Sequence, residues 1–112
     1  MKKKEMGTIL KINKNEYVYN EILEIYFDKD SNTVRREVII NEILEYINEH
    51  NLDISIFGSG DQEYGIYYDF KVVRGFNEIL YETFDKNSRI EGVLECFEWI
   101  KNKKLIGGTK WN

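Results

Sequence analysis

The chain has no proline and no alanine, one cysteine, one histidine, and no apolar run approaching the roughly twenty residues that a membrane-crossing helix needs. A single cysteine, Cys96, excludes an internal disulfide and any multi-cysteine metal site, and fits a reducing compartment. The amino end, Met1 to Met6, is a lysine cluster with no apolar segment behind it, so it lacks the form of a secretory signal. These absences predict a cytoplasmic protein with no membrane association. Missing alanine and proline, beside abundant Ile, Lys, Asn and Glu, point to an AT-rich genome, bacterial or viral.

What is present is a domain-sized chain of 112 residues, 42% hydrophobic and 14% aromatic. That much apolar surface offsets the ordering entropy of a compact chain, so residues 1–112 are expected to form one domain with only 1–6 flexible. Charge is distributed unevenly. Residues 16–70 hold thirteen Asp and Glu against three Lys and Arg, a formal −10 inside a chain of net −4. The ends are basic: Lys2, Lys3, Lys4, Lys11 and Lys14 face only Glu5, and residues 71–112 carry a small positive excess. Such an excess steers partners of opposite sign and is silent about chemistry on a substrate.

Periodicity divides the chain. Thr8 to Ile12 reads as a short strand, and the run Tyr17 to Phe27 as β-structure in which Leu23, Ile25 and Phe27 alternate with Glu24 and Tyr26. Asp28-Lys29-Asp30-Ser31-Asn32 is a turn, with a partner strand over 33–38 closing a hairpin. Ile40, Ile43, Leu44 and Ile47 then recur at helical spacing, with Asn41 near the start, Asn51 as a left-handed stop and Glu42, Glu45 and Glu49 on the opposite face. Ile54 to Phe57 reads as a strand and Gly58-Ser59-Gly60-Asp61 as a flexible connection. Ile66 to Val73 is a strand with Ile66, Tyr68, Phe70 and Val72 on one side, and Glu78 to Phe84 a third. Ser88 and Glu91 form a capping box ahead of the stripe Ile90, Val93, Leu94, Phe97 and Ile100, with Lys101, Lys103 and Lys104 at the dipole-favoured end and Gly107-Gly108 as the stop. The expected fold is α+β: an N-terminal β-hairpin followed by an α-β-β-β-α two-layer unit, its antiparallel sheet covered on one face by two helices.

Few residues suggest catalysis. His50 stands at an expected helix end between Glu49 and Asn51, the position of a solvated histidine, and Cys96 lies beside an apolar stripe with nothing basic near it in sequence. Asp28, Asp30 and Asn32 match the opening of a calcium loop, but Thr33 replaces the required glycine and Ile39 the bidentate glutamate. Asp69 and Lys71 on one strand face, with Asp61 or Glu63 upstream and Glu45 on the helix, outline a metal-dependent nuclease in which carboxylates hold Mg²⁺ and the lysine positions water. Lys101, Lys103, Lys104 and Lys110 with Trp99 and Trp111 form a small basic-aromatic cluster, while the acidic helix argues against phosphate tracking.

The favoured expectation is a non-enzymatic protein without cofactor or bound metal. Its carboxylates and tyrosines would occupy a site built for nucleic acid on a basic protein, such as a nucleic-acid-processing enzyme. The residues expected to make the contact are Glu42, Glu45, Glu49, Asp61, Glu63, Tyr64, Tyr67 and Asp69. An AT-rich phage or mobile-element protein that blocks a host defence, of the anti-CRISPR or anti-restriction kind, fits this pattern. An immunity protein guarding against a nuclease toxin fits it equally. The alternatives are the small nuclease using Asp61, Asp69 and Lys71, and a structural or regulatory homo-oligomer subunit, with the protein a monomer or homodimer.

Overall fold

The computed structural model describes residues 7–61, 63 and 65–106. Seven strands and two helices follow in the order β1 (Gly7–Ile12), β2 (Asn15–Asn20), β3 (Ile25–Phe27), β4 (Thr33–Val34), α1 (Arg36–Asn48), β5 (Leu52–Asp61), β6 (Gly65–Arg74), β7 (Glu78–Lys86) and α2 (Arg89–Asn102). The fold is α+β, built on two antiparallel meanders: β1-β2-β3-β4, and β5-β6-β7 with both helices packed on one face. The expected N-terminal hairpin is thus enlarged to a four-stranded sheet. The expected flexible residues 1–6 lie outside the described residues, as does the Gly107-Gly108 stop.

Each difference from the sequence reading has a local cause. The run 17–27 is broken into β2 and β3 because the Asn20 side chain accepts the backbone N–H groups of Ile22 and Leu23 at 3.0 and 2.9 Å, and Glu24 takes a left-handed φ of 58°. The alternation in β3 is inverted: Tyr26 is buried, whereas Leu23 and Ile25 face solvent. Tyr26 instead shares the inward face with Leu10, Tyr17 and Tyr19, its neighbours across the ladder. The strand expected over 33–38 stops at Val34. From Arg36 the chain is helical, with Glu37 in the first turn, where the dipole favours an acid, bound by Arg89 at 2.6 Å.

Gly58-Ser59-Gly60 is a strand and not a connection. It pairs residue for residue with Tyr68, Tyr67 and Ile66, so ladder hydrogen bonds override its loop-like composition. Gly60 has φ of 120° with the Gly65 carbonyl against it, a position that only glycine tolerates. Asp28-Lys29-Asp30-Ser31-Asn32 does turn the chain. Asp28 Oδ1 accepts the N–H groups of both Asp30 and Asn32 at 2.9 Å, and the Asn32 N–H foremost holds that carboxyl below its ordinary range.

The helices behave as their patterns require. Helix α1 buries Ile39, Ile40, Ile43 and Ile47 and ends before Asn51, whose φ of 63° makes the left-handed stop. Helix α2 buries Ile90, Gly92, Val93, Cys96, Phe97 and Ile100. Ser88 Oγ accepts the Glu91 N–H at 3.3 Å, and the Glu91 carboxylate reaches back to the Asn87 N–H at 3.2 Å. Ser88→Ala is therefore expected to cost about 1 kcal/mol, read as a lowered urea midpoint at unchanged slope; an unchanged midpoint would show that the cap is dispensable. Ile12, Tyr17 and Tyr26 from the first sheet join Leu52, Ile54, Phe70 and Val72 from the second in one core around the helices. The Cα envelope measures 50 × 45 × 19 Å, thin enough for about two layers, and among the described residues each sheet keeps one face uncovered.

Candidate functional site

Strand geometry fixes what the second sheet shows to solvent. Phe70 and Val72 point into the helices, so Tyr67, Asp69, Lys71 and Val73 point the other way. The register sets them in rows: Asp53, Val73 and Ile79; Ser55, Lys71 and Glu82; then Phe57 opposite Asp69, with Phe84 beside it; then Ser59 and Tyr67. Phe57, Tyr67, Ile79 and Phe84 are 51, 39, 50 and 53% exposed, large apolar groups on a face that none of the described residues covers. Between them, Lys71 pairs with Glu82 at 3.8 Å and lies 5.4 Å from the Phe57 ring centre. Asp69 accepts the N–H of Asp85, a residue held at φ 61° in the bulge of β7. The face therefore combines apolar anchors with three carboxylates, Asp53, Asp69 and Glu82, against one ammonium. The β6–β7 turn adds Phe76, 99% exposed.

The residues expected to act together fall into two sets. Helix α1 ends four residues before Leu52, and the β5–β6 hairpin tip stands nine residues further on, about 30 Å along the ladder. Glu45 and Glu49, near the end of α1, therefore stand far from the tip, and Tyr67 and Asp69 lie on the sheet face turned away from the helices. Both glutamates are exposed, with no ion pair among the described residues. Glu42 serves an internal purpose: its carboxylate accepts the Tyr17 hydroxyl and the Asn15 side-chain amide, tying the first sheet to α1. Burial and that hydrogen bond push the Tyr17 hydroxyl up to about 12. Glu63 sits exposed at the hairpin tip and Asp61 pairs opposite Gly65. Tyr64 lies outside the described residues.

The acidic block is also partly neutralised. Glu16 pairs with Lys11 at 3.6 Å, Glu24 with Arg36 at 3.9 Å and Glu37 with Arg89 at 2.6 Å.

For the nuclease arrangement, the register places Asp61 four residues beyond Phe57, the partner of Asp69, hence roughly 13 Å away along the ladder. Two aspartates at that spacing do not meet on one cation, and Lys71 is already held by Glu82. Among the described residues no group of three or more His, Cys, Asp or Glu could hold a metal ion. His50 is exposed at the end of α1, its ring edge-on to Tyr46 at 5.5 Å. Cys96 is fully buried, and burial pushes its thiol up to about 12, leaving no thiolate at neutral pH. Of the basic-aromatic cluster, Trp99 stacks on Tyr81 at 4.9 Å, which occupies one face of its ring, while Lys110 and Trp111 lie outside the described residues.

A cleft of about 480 Å³ runs between the first sheet and α2, floored by Leu10, Tyr19, Tyr26, Leu94 and Phe97. Its charged rim is self-balanced: Arg36 pairs with Glu24, Lys101 with Glu98 at 4.0 Å, and Glu91 is engaged at the helix cap.

Tyr67 and Asp69 are the sequence-predicted contact residues that lie on this face; Phe57, Ile79, Glu82 and Phe84 share it without having been singled out from the sequence. Their common signal is period-two placement opposite the buried Phe70 and Val72. No helix among the described residues is long and apolar enough to cross a membrane. Neither a family model, nor a curated protein, nor a solved structure matches the chain.

Proposed function

We propose that the protein is a non-enzymatic binding module that docks a basic protein through the uncovered face of β5-β6-β7. The observation that carries this reading is the composition of that face. Phe57, Tyr67, Ile79 and Phe84 supply apolar contact area interspersed with charged groups, among which carboxylates outnumber cations three to one. Aromatic anchors ringed by charge are the makeup of protein interfaces, and surplus negative charge speeds encounter with a basic partner. A nucleic-acid-processing enzyme offers such a surface. Carboxylates can stand where phosphates would bind, with aromatic rings in place of bases. The role is then inhibition of a defence enzyme by a phage or mobile-element protein, or protection against a nuclease toxin.

The test is affinity capture from the native host lysate with wild type, Phe57→Ser, Phe84→Ser and Glu45→Gln in parallel. Wild type and Glu45→Gln are expected to retain a basic nucleic-acid enzyme that added salt releases. Each serine variant is expected to weaken binding by about 2 kcal/mol, roughly thirtyfold. Equal capture by all four proteins would move the site off this face, and capture of no basic protein would end the reading.

A further inference from the structure

The cleft between the first sheet and α2 is balanced in charge but not in hydrogen bonds. Tyr26 lines it and is only 4% exposed, yet its hydroxyl makes no hydrogen bond among the described residues. A phenol buried that far ordinarily has a partner, as Tyr17 has in Glu42 and Tyr81 in Glu95. Arg36, in the first turn of α1, lines the same cleft and lies close enough to oppose the rise that burial first, and then Tyr19, give the Tyr26 hydroxyl. It too is short of acceptors. Its pair with Glu24 spans 3.9 Å between two exposed side chains, a contact of little strength, and its guanidinium donates no hydrogen bond among the described residues. The two glutamates of the cleft are by contrast engaged: Glu91 accepts the Asn87 N–H, and Glu98 faces Lys101, which itself lies over the Phe97 ring.

We propose that this cleft binds a small monocarboxylate with an apolar body, its carboxylate accepting from Arg36 and the Tyr26 hydroxyl and its body lying along α2. Two donors without acceptors, one of them buried, select an anionic head. An ammonium would face the Arg36 charge, and a wholly apolar occupant would seal the Tyr26 hydroxyl away with nothing to bond. Arg36 stands at the Ser88 end of the cleft, where the two residues also share a second hollow, so the α2 N-terminus adds its positive dipole end and Glu91 offsets part of it. The floor beyond is Leu10, Tyr19, Leu94 and Phe97, which suits an apolar body. Its volume of about 480 Å³ falls within the range of roughly 300–1,000 Å³ usual for small-molecule sites. Both Ser88 and Lys101 line it, so it follows the helix for about 20 Å and fits an elongated ligand better than a compact one.

Isothermal titration calorimetry on the full chain with octanoate, beside 1-octanol, octylamine and 2-naphthoate, tests the proposal. Octanoate is expected to bind with a dissociation constant of about 100 µM or tighter, and octanol and octylamine at least about tenfold more weakly. Comparison with 2-naphthoate tells an alkyl from an aryl body, and tight binding of either acid supports the site. Arg36→Gln, at an exposed side chain, should reduce octanoate to the level of octanol with an unchanged circular dichroism spectrum. Tyr26→Phe should weaken octanoate by roughly fivefold, and without ligand its urea midpoint should equal or exceed that of wild type, because the deleted hydroxyl has no partner to lose. Glu45→Gln should bind as wild type does. Failure of both acids to bind, octanol or octylamine matching octanoate, or octanoate affinity undiminished in both Arg36→Gln and Tyr26→Phe would overturn the proposal. So would a Tyr26→Phe protein less stable than wild type without ligand, since its hydroxyl would then already have an acceptor. The result is independent of whether any basic protein is captured.

Discussion

Gly92→Ala is expected to destabilise the protein by about 2–3 kcal/mol, although the same change in an open helix stabilises by up to about 1 kcal/mol. The sign reverses because of what lies against the helix. Gly92 is buried on the sheet-facing side of α2, and a Cβ built there would overlap the ring of Phe70. Phe70 is fully buried in the central strand, so the ring has no free volume to retreat into. The missing side chain is what lets the α2 backbone settle onto β6. Phe70→Leu should relieve part of the conflict. The Gly92→Ala, Phe70→Leu double variant is then expected to lose at least about 1 kcal/mol less than the two single losses combined. Thermal unfolding reads the single change as a Tm lowered by roughly 10 °C. A neutral or stabilising Gly92→Ala would mean that α2 stands further from the sheet than its contacts imply.

This glycine also marks the limit of what could be read before the fold was known. Helix α2 was legible because every cue was local: Ser88 and Glu91 at capping spacing, a stripe from Ile90 to Ile100, and lysines at its end. Nothing local marks Gly92 as anything but a weak helix former. Its role comes from Phe70, twenty-two positions away. The β5–β6 hairpin went unrecognised past Phe57 for a related reason, because Gly58, Ser59 and Gly60 have loop propensities and become a strand only through their partners Ile66, Tyr67 and Tyr68. In β3 the alternation itself was visible, but which side faces the core depended on tyrosines of the neighbouring strand.

The candidate site was legible only in part. Tyr67 and Asp69 could be placed on one strand face, and period two would have extended that logic to Phe57 and Phe84 once register was known. Glu42, Glu45 and Glu49 share a helical face by spacing alone, and spacing does not say that Tyr17 and Asn15 have already claimed Glu42. Nor does it reveal that the hairpin tip projects away from the helix end. Clustering of charge along the chain is thus a poor guide to clustering on the surface: Glu16, Glu24 and Glu37 each find a cation in the fold, two of them from outside the acidic block.

Glu95 is a carboxylate that the sequence reading passed over, and removing it is the second large effect expected. On α2 it receives the Lys86 ammonium at 2.7 Å and the Tyr81 hydroxyl at 2.6 Å, and the buried Thr83 side chain bonds it as well, so it joins the helix to β7. The Lys86 ammonium first, and then the Tyr81 hydroxyl, hold the carboxyl down at about 2, outweighing the burial that raises it. A carboxylate depressed in the folded state adds stability that is fully present above its unfolded value, near 4.5, and is lost as pH falls toward about 2. The side chain keeps 35% of its exposure, so solvent screening reduces the contribution to about 1–2 kcal/mol. Glu95→Gln should therefore cost about 1–2 kcal/mol at neutral pH and close to nothing at pH ~2, because the wild-type group is by then losing its charge. Glu95→Leu should cost more, about 2–3 kcal/mol, since it also leaves the Tyr81 hydroxyl without its acceptor. Urea unfolding of the three proteins at a series of pH values separates these effects. A gap between wild type and Glu95→Gln that stays constant from neutral pH down to the acid limit would show that the Lys86 contact adds no charge-dependent stability, and would reduce Glu95 to a packing residue.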